Sequence, residues 1–164
     1  MQKLFFLILL LPFAAIAQDC TIKKETDQFT REPKISTGYI PLQSSSLTID
    51  ADKKEFDFFF TVEGKDKCFD DQSTLVIMLE GSKTRNTFRN SGSMNCEGLF
   101  HFTVRNGPET PFQVKRFTTI KITQLIFTVN NSTKPVVLTL TPEQQDAVMK
   151  AVNCIAPEAK KLVN

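Results

Sequence analysis

Period-two alternation of apolar and polar positions recurs through the middle of the chain and predicts strands. Phe56, Phe58, Phe60 and Val62 alternate with Asp57, Phe59 and Thr61, and Phe100, Phe102 and Val104 alternate with Leu99, His101 and Thr103. Leu75, Ile77 and Leu79 are interleaved with Val76 and Met78, so this strand is apolar on both faces and belongs inside a sheet. A long strand over Thr118 to Val129 changes phase, because Ile120 and Ile122 share one parity and Leu125, Phe127 and Val129 the other. One extra residue near Thr123–Gln124, a β-bulge, returns both sets to one face. Turn residues separate the runs at Asp52–Lys54, Glu80–Lys83, Asn106–Pro108 and Asn130–Pro135. The Glu80–Lys83 turn is short enough to close a hairpin between 74–80 and 84–89. A last short strand spans Val136 to Leu140.

The period then switches from two to 3.6. Thr141-Pro142-Glu143-Gln144 reads as a capping box with proline at the first helical position. Val148, Val152 and Ile155 follow at helical spacing, with Ala147 and Ala151 beside them. Pro157 lacks an amide hydrogen, so the helix is expected over about 142–156, with a short further turn through Ala159 to Val163. The expected fold is mainly β: an antiparallel β-sandwich-like domain with one C-terminal α-helix packed on it.

The N-terminus adds a location. Lys3, the apolar run Leu4–Leu11 and small residues at Ala15 and Ala17 resemble a secretory signal with an A-x-A cleavage site. The run is too short to span a bilayer, and Gln18-Asp19 follows at once. Residues 1–17 are therefore expected to be a cleaved signal peptide and residues 18–164 a single domain, secreted or periplasmic, without a transmembrane segment. A chain of this size buries roughly 70% of its unfolded surface, enough for a core without metals. The formal charge of +2 falls when Lys3 departs, and such a balanced surface calls for no nucleic-acid partner.

Cys20, Cys68, Cys96 and Cys154 all lie in the mature chain. In an oxidising compartment an even number reads as two disulfides, and no C-x-x-C spacing suggests zinc or thioredoxin-like chemistry. Gln18-Asp19 before Cys20 also fails the small-residue pattern of a lipid-modified cysteine. If 74–80, 84–89 and 99–104 form a meander, Cys68 and Cys96 precede strands that start at the same end. They would then pair, leaving Cys20 for Cys154.

Catalytic motifs are few. His101 sits between Phe100 and Phe102 with no neighbouring nucleophile, and reads as a packed or surface histidine. The chain has no G-x-S-x-G, H-E-x-x-H, Walker loop or G-x-G-x-x-G. Two acidic clusters, Asp50/Asp52/Glu55 and Asp66/Asp70/Asp71, have oxygen ligands for calcium but not EF-hand spacing, and read as solvated turns. Arg85, Thr87 and Arg89, with Lys115-Arg116 and Lys121 on later strands, offer a basic patch or simply the wet side of a sheet. Fifteen phenylalanines against one tyrosine and no tryptophan argue against a sugar platform and for a core. Alternatively, Phe58, Phe60, Phe100 and Phe102 line a pocket for an apolar small molecule between sheets. Overlapping sequons at Asn130 and Asn131 matter only in a eukaryotic source.

Four short stretches, Asp27-Gln-Phe-Thr30, Glu80-Gly-Ser82, Asn95-Cys-Glu-Gly98 and the cysteine in the terminal helix, resemble uncharacterised exported proteins of Bacteroidota-type bacteria. The likeness implies a periplasmic or surface location and no known activity. The expected function is a non-catalytic exported binding or structural module of the cell envelope, with another envelope protein as partner. The alternative is a carrier of a small apolar ligand. No cofactor, metal or catalytic residue is expected.

Overall fold

The computed structural model describes residues 20–28, 30–64, 67–129 and 134–163. The expected signal peptide, Phe29, Asp66 and the sequons at 130–133 lie outside them. The elements run β1 (Lys23–Thr26), β2 (Pro33–Leu42), β3 (Ser45–Ala51), β4 (Glu55–Val62), β5 (Thr74–Leu79), β6 (Asn86–Arg89), β7 (Leu99–Arg105), α1 (Phe112–Thr119), β8 (Ile122–Phe127), β9 (Val136–Thr139) and α2 (Pro142–Lys161). Two antiparallel sheets, ordered β1-β2-β3-β4-β7 and β6-β5-β8-β9, pack as a sandwich with the C-terminal helix against them.

Alternation places one face of β3, β4, β5 and β7 in the core, as the pattern of residues implied for the last three. Phe56, Phe58, Phe60 and Val62 of β4 and Phe100 and Phe102 of β7 are almost fully buried. Across the interior they meet Leu75, Ile77 and Leu79 of β5 and Leu125 and Phe127 of β8. Ring contacts join the two sheets: Phe60 and Phe100 both meet Phe127 edge-on, at 5.4 and 5.3 Å between centroids. Phe88 of β6 stacks on Phe102 at 4.0 Å.

The bulge forms where the phase change required it. Met78 faces Gln124 but Leu79 faces Ile122, so Thr123 is the extra residue. Its hydroxyl donates to the Met78 carbonyl at 3.2 Å.

Three expectations need correction. The long strand does not begin at Thr118, because Phe112–Thr119 is helix α1, which buries Val114 and Phe117 three residues apart. The Thr118 and Thr119 hydroxyls bond back to the Lys115 carbonyl, which lets these strand-favouring residues end a helix. The 74–80/84–89 hairpin forms, but residues 99–105 do not extend it: β7 pairs with β4 in the other sheet, from Glu55↔Arg105 to Thr61↔Leu99. Finally, α2 runs through Pro157 to Lys161. Pro157 is on the exposed side of the helix, while Ala156 and Ala159 continue the buried stripe beyond it. Asn106 Nδ2 donates to the Ala159 carbonyl at 3.0 Å and helps hold this last turn. At the other end the capping box is complete, with Thr141 N–H donating to Gln144 Oε1 at 3.0 Å.

The disulfides join Cys68 to Cys96 and Cys20 to Cys154. The first pair is brought together by the Phe69↔Asn95 bridge rather than by a meander. The second ties the start of the described chain to α2, which lies along β2 and β3 of one sheet and β8 of the other. All four cysteines are paired, which fits an extracellular or periplasmic protein. No helix among the described residues is long and apolar enough to cross a membrane.

Candidate binding cleft

Strand β2 is only partly covered by β1. Pairing between them ends at Lys23↔Ser36, whereas β2 continues to Leu42 against β3. Upstream of Lys23 the chain turns away, with Ile22 N–H donating to the Cys20 carbonyl at 3.1 Å, and the Cys20–Cys154 bridge carries it to α2. Among the described residues, the second half of β2 therefore has a strand on one side only.

The register shows which backbone groups face the bare side. Ile49 N–H donates to Thr37 Oγ1 at 3.0 Å, so the odd residues of β3 direct their peptide groups toward β2. Ile40↔Leu47 and Leu42↔Ser45 are then the hydrogen-bonded pairs. Tyr39 and Pro41 point their backbone groups away from β3, and Pro41, which has no N–H to offer, sits where a ladder bond is not needed. A register shift between Ser36 and Tyr39 sets this phase. Among the described residues no group bonds to the Tyr39 backbone from the open side. The outer edge of β7 is the contrast: Asn90 Oδ1 accepts from His101 N–H and Asn95 Oδ1 from Leu99 N–H, both at 3.0 Å.

Helix α2 stands across from this bare edge and makes a cleft of 270 Å³. The β2 side consists of Thr37, Tyr39, Ile40 and Pro41, and the helix side of Ala147, Lys150, Ala151 and Cys154. Thr21 and Ile22 close one end. Small residues at 147 and 151, one turn apart, keep the helix wall low. Tyr39 is 70% exposed at the rim, high for an aromatic ring. Lys150 is the charged member of the lining, and no carboxylate among the described residues pairs with it.

The outer face of the five-stranded sheet carries a second polar group. His101 Nδ1 lies 3.0 Å from Asp57 Oδ1, and both side chains are partly exposed. Burial pushes the Asp57 carboxyl above its ordinary range; His101 opposes this and Asp50, directly across on β3, adds to it. Lys34 bonds Asp50 Oδ2 at 2.8 Å. Burial lowers the Lys34 ammonium, but the bond to Asp50 and the charges of Asp50, Asp57 and Glu25 outweigh it, for a net upward shift. The His101 ring rests against Gly92, where a Cβ would stand 3.1 Å from Nε2.

The other residues singled out from the sequence are dispersed. Phe58, Phe60, Phe100 and Phe102 are buried in ring contacts, Phe58 on Phe102 at 4.8 Å and Phe60 near Phe102 at 6.3 Å, so these side chains fill the space between the sheets. Asp52 Oδ1 accepts the Lys54 and Glu55 amides, and Asp70 Oδ1 those of Gln72 and Ser73, so these two carboxylates shape turns, while Asp50 lies on β3. Among the described residues no group of three His, Cys, Asp or Glu side chains is arranged to hold a metal. Of the basic residues, Lys115 and Arg116 lie on α1 rather than a strand, and Arg89 bonds Gln72, Lys121 pairs with Asp146 and Arg116 bonds Asn86. A wider depression of 550 Å³ contains Lys53, Lys54 and Arg105, but both lysines already meet Glu32.

Sequence reasoning missed the cleft. Its signals were Pro41 inside an alternating run, which marks an edge, and the Ala147/Ala151 step beside the buried stripe. Comparison with protein-family models, curated proteins and solved structures found no match.

Proposed function

We propose that this protein is a non-catalytic, exported binding module that engages a protein partner at the cleft between β2 and α2. The observation that carries this reading is the bare backbone edge of Tyr39–Pro41 inside an apolar cleft. An uncovered edge beside apolar surface is the usual mark of a protein contact. A volume of 270 Å³ is slightly below the ~300–1,000 Å³ typical of small-molecule pockets, and suits an anchoring side chain better than a whole apolar ligand. The interlocked phenylalanine rings weigh against the carrier alternative in the same way. The leader and both disulfides support export.

A benzophenone amino acid replacing Tyr39, introduced in the protein's own host, tests this. Irradiation is expected to give a discrete protein adduct that disappears when Ala147→Trp fills the cleft, while the same label at Val137 gives none. An adduct indifferent to Ala147→Trp would overturn the assignment. So would a lipid-sized mass bound to the natively isolated protein.

A further inference from the structure

We infer that the cleft takes its partner as an extended strand: a short segment of another protein adds to the β2 edge at Tyr39–Pro41, sets an apolar side chain against the α2 wall and brings a carboxylate to Lys150. This rests on the protein-binding reading above and specifies its chemistry.

The backbone sets the first requirement. The open edge offers one donor, Tyr39 N–H, and two acceptors, the Tyr39 and Pro41 carbonyls. An added strand must answer with one carbonyl and two N–H groups, which excludes proline at the two donating positions. The uncovered length, Tyr39 to Leu42, corresponds to about 10–13 Å of strand, or three to four residues.

Alternation sets the second requirement. Cross-strand neighbours share a face, so a residue beside Tyr39 or Pro41 lies with the exposed Tyr39 ring on the outer face. A residue beside Ile40 lies on the face toward α2 and enters the cleft against Ala147 and Ala151. The residue two positions along shares that face. Lys150 stands in the same wall without a carboxylate partner, so this second position favours Asp or Glu. Lys23 adds positive charge at the near end, its Nζ 3.7 Å from where a Cβ on Gly38 would stand. The resulting recognition pattern is an apolar and an acidic residue two positions apart in an extended segment, with no proline at the two donating positions.

The described residues just upstream of β1 do not take this place. The Cys20–Cys154 bridge and the turn at Cys20–Ile22 draw the chain off the β2 line just before the bare stretch begins. A partner protein is the occupant that satisfies both the edge and Lys150.

Random octapeptides displayed on phage and selected on the disulfide-bonded mature protein test this. Enriched peptides are expected to share an apolar and an acidic residue two positions apart and to lose binding to Ala147→Trp. In a synthetic representative, N-methylation of an amide facing Tyr39 O or Pro41 O is expected to weaken binding about tenfold, the worth of one well-made hydrogen bond. N-methylation of an outward amide is expected to change it less than about twofold. Lys150→Glu is expected to shift selection from acidic to basic flanks. Peptides with apolar residues at i, i+3 and i+4, or equal tolerance of N-methylation at both kinds of amide, would overturn strand addition, as would failure to enrich cleft-dependent peptides. A concentration-dependent dimer abolished by Ala147→Trp would overturn it by making a second copy the occupant. If the Tyr39 adduct persists in the host while N-methylation has no effect, the protein-binding reading stands and only the strand geometry fails.

Discussion

Replacing Gly98 by alanine tests how β4 is held to the disulfide loop. Gly98 has φ +75°, and a Cβ there would stand 2.2 Å from the Val62 carbonyl oxygen and 3.2 Å from its carbon. Both are backbone atoms at the end of β4, so no flexible side chain can swing aside. The same residue receives a hydrogen bond from Val62 N–H at 2.8 Å and donates one to the Lys67 carbonyl at 3.1 Å. The left-handed conformation alone costs an L-residue about 1–2 kcal/mol. Relieving the clash means separating the loop from β4, which loses backbone hydrogen bonds worth about 1 kcal/mol each. The expected loss for Gly98→Ala is about 3–4 kcal/mol. Gly81 supplies the control, because its φ is +65° but a Cβ there meets nothing within 4 Å; Gly81→Ala is expected to cost only the conformational part, about 1–2 kcal/mol. Urea unfolding of both variants, disulfides intact and m-values matching the parent, measures the difference. Equal losses would refute the argument, since the clash is all that separates the two positions.

Chain entropy ranks the disulfides. Serine in place of both Cys20 and Cys154 is expected to cost about 5 kcal/mol, and in place of both Cys68 and Cys96 about 4 kcal/mol, because the pairs are 134 and 28 residues apart; urea melts showing the reverse order would refute this ranking. Burial holds the Asp57 carboxyl above its ordinary 3.8. Its contribution to stability is therefore present below that pH and lost as pH rises through the shifted value. Asp57→Asn, which keeps an oxygen for His101 Nδ1, is expected to be the more stable protein at pH 7, with the gap closing toward pH 4. A gap that widens on acidification would contradict the sign. Pro157→Ala restores a backbone donor to α2 on its exposed side and is expected to raise stability by about 1–2 kcal/mol in the same assay.

The features legible from sequence were those that local chemistry dictates. The capping box at Thr141–Gln144, the Glu80–Lys83 turn and the phase change at Thr123 each follow from residues within a few positions of one another. The alternating phenylalanines pointed to a core because burial of one face of a strand leaves a period of two, although a lined pocket would leave the same trace. What escaped was long-range. Residues 99–105 carry nothing that distinguishes pairing with β6 from pairing with β4, since both faces and both registers suit the same alternation. Pro33–Ala51, rich in Ser, Thr and Pro, holds too few large apolar residues to stand out, although Ile35, Ile40, Leu42, Leu47 and Ile49 are all buried. Helix α1 was hidden by Val114, Phe117 and Ile120, residue types equally at home in a strand. The cleft was invisible for the same reason: it exists only because α2, more than a hundred residues downstream, is stapled beside β2.

That staple has a further consequence. The 68–96 ring lies wholly inside the 20–154 ring, so the covalent circuit is nested. One peptide bond cut anywhere between Cys20 and Cys154 releases no fragment, and a nicked molecule migrates as a single species until it is reduced. Wherever reductants are scarce, such a molecule keeps both flanks of the cleft joined after its first cleavage.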